Sequence, residues 1–210
     1  MQFRLLKKTG FFILVVLILI VGFYPLIYFF ELTQGLLSTK SKETLADIFW
    51  KTMFNLHIGC GGLALLSGWP QFNKKWRSSK PVVHRNIGKV YVAAVSVSSI
   101  CGLYIAFYAT GGLPASLGFG FLALCWFIST SLAYIKIRQG KVNDHEKWMI
   151  RSFALCLAAV TLRIYLPLFQ LVLQMDFIQA YRIISWLCWV PNLLAAEWII
   201  RNKQPVPVVL

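Results

Sequence analysis

Residues 90–135 read VYVAAVSVSSICGLYIAFYATGGLPASLGFGFLALCWFISTSLAYI, a stretch without one charged side chain. It is about twice the ~20 residues that cross a hydrocarbon core of ~30 Å. At its middle lies Gly111-Gly112-Leu113-Pro114, a tight, uncharged turn. The stretch therefore predicts two helices, Val90–Pro114 and Ala115–Ile135, that cross a bilayer and return.

The same reading extends outward from this hairpin. Upstream, Gly10–Phe30 and Thr52–Gln71 are long enough and free of full charges. Downstream, Ser152–Val172 is broken only by Arg163, and Ile183–Ile200 holds Glu197 near its end. The expected fold is all-α, a polytopic membrane bundle of six transmembrane helices. With 58% hydrophobic and 13% charged residues, a soluble chain of this length would carry more apolar mass than it could bury. Six helices in 210 residues leave no room for a second domain. The chain divides into a first helix with its outer loop (1–48), a five-helix membrane domain (49–203) and a short tail (204–210).

A net charge of +14 on a soluble surface would suit nucleic acid. Its distribution excludes that reading. Arg4, Lys7 and Lys8 precede the first span, and Lys74, Lys75, Arg77, Lys80, Arg85 and Lys89 fill the second connection. Lys136, Arg138, Lys141, Lys147 and Arg151 fill the fourth, and Arg201 and Lys203 follow the last span. The odd connections hold only Lys40, Lys42, Lys51 and Arg182. Sixteen cations against four orient the protein with both termini cytoplasmic. The partner this implies is the bilayer itself, with its anionic inner-leaflet headgroups, and not nucleic acid.

The basic N-terminus resembles a signal peptide, but its apolar run is too long for one and no small-x-small cleavage site follows Phe30. It reads as a retained helix, kinked at Pro25. The polar segment Glu31–Asp47 is an outer loop; helix 2 ends at Pro70, and Gln71–Arg85, with Trp76, lies along the inner headgroups. Asp144 is placed to cap helix 5. All five cysteines fall inside spans with no C-x-x-C pair, so neither disulfides nor a thiolate metal site is expected.

Polar groups inside hydrocarbon cost free energy and mark where chemistry belongs. Asn55 and His57 in helix 2, Arg163 in helix 5 and Glu197 in helix 6 are of this kind. Gly61, Ala64 and Gly68 follow His57 at helical spacing, a small-residue seam that admits another backbone or a flat cofactor. Arg163 in mid-span costs roughly 2.5–3.5 kcal/mol on insertion scales and must face the bundle interior. At 1.5 Å per residue, His57 and Arg163 lie at similar depth in the outer half. Pro167 cannot donate to the Arg163 carbonyl, which predicts a kink there. His84 and His145 open helices 3 and 5 at the inner surface. His84, Gly88, Tyr91, Val95 and Ser98 share one face, as do His145, Met149, Ser152, Cys156, Ala159 and Arg163. Glu197 stands at this inner level as an ion-pair partner for His84, Arg85, His145 or Arg151.

Certain runs are specific enough to suggest a family. His57-x-Gly59, Leu65-Leu66-Ser67-Gly68-Trp69-Pro70-Gln71-Phe72, His84-Arg85-x-x-Gly88-Lys89-Val90-Tyr91, His145-x-x-Trp148-Met149-x-Arg151-Ser152 and Thr161-Leu162-Arg163 span about residues 50–170. Over them the chain resembles the bacterial membrane-protein family catalogued as domain of unknown function 2306. The resemblance implies a multi-helix fold in the bacterial cytoplasmic membrane. It also implies candidate site residues at His57, His84, Arg85, His145, Arg151 and Arg163.

Three functional readings stand side by side. The first is a membrane redox protein holding haem b or a quinone. Histidines on different helices and interior arginines fit it, and His84 and His145 are the only pair matched in depth to ligate one iron, with Met149 as an alternative. The second is a transporter of a small anionic or proton-coupled solute, with Arg163 and His57 as its site. The third is a structural or accessory membrane protein. No hydrolase triad, Walker A loop, H-E-x-x-H or Gly-rich dinucleotide loop is present, which argues against soluble-type nucleotide or protease chemistry.

Overall fold

The computed structural model describes residues 2–30 and 35–203, with side chains for 9–28 and 37–203. The side chains of Arg4, Lys7, Lys8 and Glu31 and the tail 204–210 lie outside the described residues. All regular structure among the described residues is helical. Eight longer helices are α1 (Gln2–Phe23), α2 (Ile48–Gly68), α3 (Pro81–Ala106), α4 (Leu113–Arg138), α5 (Val142–Cys156), α6 (Ala158–Pro167), α7 (Phe177–Leu187) and α8 (Val190–Arg201). α5 with α6, and α7 with α8, form two broken spans.

Five helical stretches are long and apolar enough to cross a membrane: Thr9–Leu26, Pro81–Ala106, Leu113–Arg138, Val142–Val172 and Phe177–Arg201. Each has the composition the sequence predicts. α2, at 21 residues, has the length. Its Lys51, Asn55 and His57 hold its hydropathy below the other five, because α2 is the helix that brings polar groups into the interior. Outward surfaces match a lipid solvent: on α1, Phe11, Phe12 and Ile20 are 62%, 68% and 59% exposed. Such a surface has no stable place in water.

α2, α3, α4 and α5 close a four-helix ring, each packed on the next and α5 packed back on α2. α1 lies against α2 and α6, α7 against α4 and α6, and α8 against α5. The core threads through this ring: Ile18, Leu65, Tyr91, Val95, Leu155 and Ile184 are almost wholly buried. α1 meets α2 backbone to backbone, since a Cβ on Gly62 would stand 2.5 Å from the Gly22 carbonyl oxygen. Only glycine permits that approach. Immediately beyond, α1 tightens into a 3-10 turn at Tyr24–Leu26, where Pro25 was expected to bend it.

At the centre of the bundle buried hydroxyls are paired in a chain. The Tyr91 hydroxyl is 2.7 Å from Ser152 Oγ, which is 2.6 Å from Thr130 Oγ1, which donates to the Trp126 carbonyl at 2.8 Å. The three hydroxyls tie α3, α4 and α5 together at the centre of the bundle.

The regular α-helix is interrupted at two further places besides Pro167. α5 stops at Cys156, Leu157 turns with ψ −10°, and α6 resumes at Ala158. α7 stops at Leu187, and α8 begins at Val190 with Pro191 in its first turn. The two breaks are bonded to each other. Thr161 Oγ1 lies 2.8 Å from the Leu157 carbonyl and 2.7 Å from that of Cys188. Asn192 Nδ2 reaches the carbonyls of Cys188 (3.0 Å) and Ala154 (3.3 Å) and Thr161 Oγ1 (2.9 Å). Pro167 ends α6, and the chain continues as a π-helical turn, Leu168–Val172. Asp144 sits inside the first turn of α5 rather than before it, because the helix already starts at Val142.

Candidate functional site

α2 starts at Asp47, whose Oδ1 accepts the Phe49 N–H at 2.8 Å, and runs from there to His57. His57 Nδ1 lies 2.8 Å from the Ser98 carbonyl oxygen on α3. A carbonyl can only accept, so Nδ1 carries the hydrogen. Ser98 Oγ returns the bond, donating to the His57 carbonyl at 2.8 Å. One turn along α3, Gly102 leaves room for the ring: a Cβ there would lie 2.8 Å from Nδ1 and 2.9 Å from Cε1. The Nδ1–Cε1 edge is thus held by α3, and Nε2 is the ring nitrogen α3 does not engage.

Arg163 arises from α6. One guanidinium nitrogen donates to the Ala159 carbonyl at 2.9 Å. The guanidinium carbon lies 4.6 Å from the centre of the Tyr24 ring on α1, a cation–π contact. Among the described residues no carboxylate pairs with it. Its neighbours are therefore a backbone oxygen and an aromatic face.

His57 and Arg163 line one cavity of about 240 Å³. Its walls are mainly apolar and aromatic, with Phe54, Phe119 and Trp126 among them. Lys40 also lines it, from the segment between α1 and α2. The Lys40 ammonium donates to the Tyr108 carbonyl and to Thr110 Oγ1 (3.0 Å), and Thr39 Oγ1 lies 2.9 Å from Thr110 Oγ1. These bonds latch the segment onto the turn between α3 and α4, and burial pushes the Lys40 ammonium below its usual pKa. Leu37, 3% exposed, closes the same region. The cavity therefore holds two cations, and no Asp or Glu among the described residues lines it. The indole N–H of Trp50, another lining residue, is buried without a partner among the described residues.

The remaining candidates sit at the opposite, basic end. His145 Nδ1 donates to the Ala133 carbonyl at 2.9 Å. His84 Nδ1 is buried without a hydrogen-bond partner among the described residues, as is the side-chain amide of Gln71. Arg85 is exposed. Arg151 grips Glu197 with two bonds of 2.5 and 3.0 Å and lies over the Trp148 ring at 4.4 Å. Of the four partners open to Glu197, Arg151 is the one it takes. Glu146 pairs with Lys203 at 2.5 Å and with Arg77 at 3.4 Å, joining α5, the end of α8 and the short helix Lys74–Ser79.

The structure thus brings His57 and Arg163 together and leaves His84, Arg85, His145 and Arg151 outside the cavity. Sequence reasoning missed Ser98, Gly102, Lys40 and Tyr24. Only Ser98 had a visible signal, since it falls on the Tyr91 face of α3.

No curated protein and no solved structure matches the chain. A family model described as "Predicted membrane protein (DUF2306)" matches residues 54–200. That stretch is well over half the sequence and contains both His57 and Arg163, so the chain belongs to this family of predicted membrane proteins.

Proposed function

We propose that this is a six-span protein of the bacterial cytoplasmic membrane that binds a small organic anion, with an apolar body and a carboxylate head, in the cavity between α2 and α6. The finer topology takes α2 as the sixth span and sets the basic end, with both termini, in the cytoplasm among anionic headgroups. The observation that carries the binding reading is the Arg163 guanidinium at an apolar cavity, with no carboxylate partner among the described residues. An uncompensated buried charge is costly, and a carboxylate on the planar fork relieves it. A neutral quinone head would fit the aromatic walls but leave the charge in place, so the anion is favoured. The cavity, at about 240 Å³, is smaller than the roughly 300–1,000 Å³ of sites for drug-sized ligands, which points to a small acid. This is the solute-binding, transporter-like reading of the sequence, moved ahead of redox.

Benzoate serves as the probe, titrated calorimetrically into the full-length protein in detergent, with neutral benzamide as control. Binding of benzoate but not benzamide, weakened at least tenfold in both Arg163→Gln and Arg163→Lys, supports the reading, because the fork is lost in both. Equal affinity for the two compounds, or an Arg163→Gln protein that binds benzoate as well as the parent, overturns it.

A second reading has one observation in its favour: His84 Nδ1 is orphaned at the end of the bundle where His145 is oriented by Ala133. An imidazole fixed through one nitrogen offers the other as a ligand. If the pair holds haem b, purified protein shows haem absorption bands that sharpen on dithionite reduction. A colourless preparation from haem-replete cells, unchanged by added haemin, removes that reading.

A further inference from the structure

His57 has a fixed tautomer that the binding of an anion does not by itself use. Its Nδ1–H is committed to the Ser98 carbonyl at 2.8 Å, so in the neutral ring Nε2 carries a bare lone pair. The ring atoms that Gly102, by its missing side chain, lets seat against α3 are Nδ1 and Cε1. A lone pair of this kind accepts a proton or a hydrogen bond and cannot donate one. The cavity therefore offers its ligand a cation with unused donors at Arg163 and an acceptor at His57. A bare carboxylate satisfies only the first. An undissociated acid satisfies both.

We infer that His57 takes the proton of a weak organic acid as its carboxylate settles on Arg163, so that the cavity is selective for acids delivered with their proton. The inference rests on the carboxylate reading given above. The step balances simply. The acid R–COOH loses its proton to Nε2, leaving an imidazolium whose Nδ1–H still donates to Ser98, and the carboxylate pairs with the guanidinium. The O–H bond breaks, the N–H bond forms, and no redox partner is required. The cavity gains no net charge from the solution, since proton and anion enter together. That suits an apolar chamber better than a lone anion does.

The groups that face His57 set what else can titrate there. α6 contributes Arg163, the short helix Ile27–Phe30 after α1 contributes Tyr28, the segment before α2 contributes Lys40, α5 contributes Cys156 and α7 contributes Tyr181. α3 presents Ser98 and Gly102, and α4 presents Phe119 and Trp126, none of which titrates. No carboxylate among the described lining residues competes for the proton.

The test counts protons. Benzoate binding to the full-length protein is measured calorimetrically at pH 7 in buffers of different ionisation enthalpy, which gives the protons taken up per benzoate bound. The expected uptake approaches one, and affinity falls about tenfold per pH unit between pH 7 and 8. His57→Asn keeps an amide N–H where Nδ1–H stands but cannot titrate. It should still bind benzoate with uptake near zero and an affinity independent of pH over that range. Wild-type binding without proton uptake overturns the inference and needs no variant to do so. Uptake that persists undiminished in His57→Asn also overturns it, while leaving Arg163-dependent binding intact. Absence of benzoate binding in the wild type removes the carboxylate reading itself, a separate outcome.

Discussion

The seat of His57 is made by an atom that is missing. Gly102 offers the imidazole the space a Cβ would fill, 2.8 Å from Nδ1. Gly102→Ala should therefore displace the ring and break its bond to the Ser98 carbonyl. An overpacked site of this kind costs about 1–3 kcal/mol. The expected result is a folded protein with a lower melting temperature in detergent and much weaker benzoate binding; an unchanged melting temperature and affinity would show that the ring is not held there. At this scale the sequence was legible only in part. His57 and Arg163 stood out because an imidazole and a guanidinium are expensive in an apolar span. Ser98 and Gly102 did not, because serine and glycine are common in such spans. Their meaning lies in a neighbour 41 residues away for Ser98, which no local pattern encodes. Tyr24 was hidden for the same reason, as one aromatic among many.

Helix interruptions show how far local rules reach. A kink was expected at Pro25, where the helix tightens into a 3-10 turn, and Pro191 stands at the start of α8 after a break. A kink was expected at Pro167, where α6 gives way to a π-helical turn; a further interruption comes ten residues earlier, at Leu157, where no proline stands. Pro167 sits where the regular α-helix is already ending, so its missing N–H falls at a point of change. The cause of the earlier break is tertiary. The carbonyls of Leu157 and Cys188 meet one hydroxyl, that of Thr161, and Asn192 reaches the carbonyls of Ala154 and Cys188. Thr161→Val and Asn192→Leu should each leave a carbonyl short of a donor, at a cost of about 1–3 kcal/mol. Because they share partners, the double variant should lose less than the sum of the two, and thermal unfolding of the set would show it. Strict additivity would mean that the breaks are independent.

At the scale of the whole chain, the all-helical class and the apolar stretches were the most legible features. Long apolar runs marked five of the helices, two of them carrying one charge each at Arg163 and Glu197, since length and hydropathy are properties of a stretch and need no partner. α2 is the instructive case: the residues that give it chemistry are those that lower its hydropathy. Fusing a reporter active only outside the cytoplasm after Leu210 should give no signal, and a cytoplasmic reporter there should be active, as the excess of cations at the basic end requires. Activity of the outside reporter would reverse the orientation.

The family match begins at residue 54, and the cavity does not. Val21 of α1 and Pro25 and Tyr28 just after it wall the cavity, and the ring against Arg163 is Tyr24. A comparison of relatives confined to the matched stretch would contain the guanidinium and omit the face it rests on. It would record Arg163 as invariant or varied without the residue that decides which. The first helix, which looks like the plainest part of the chain, is where inheritance of the pocket has to be traced in pairs, position 24 with position 163, rather than column by column.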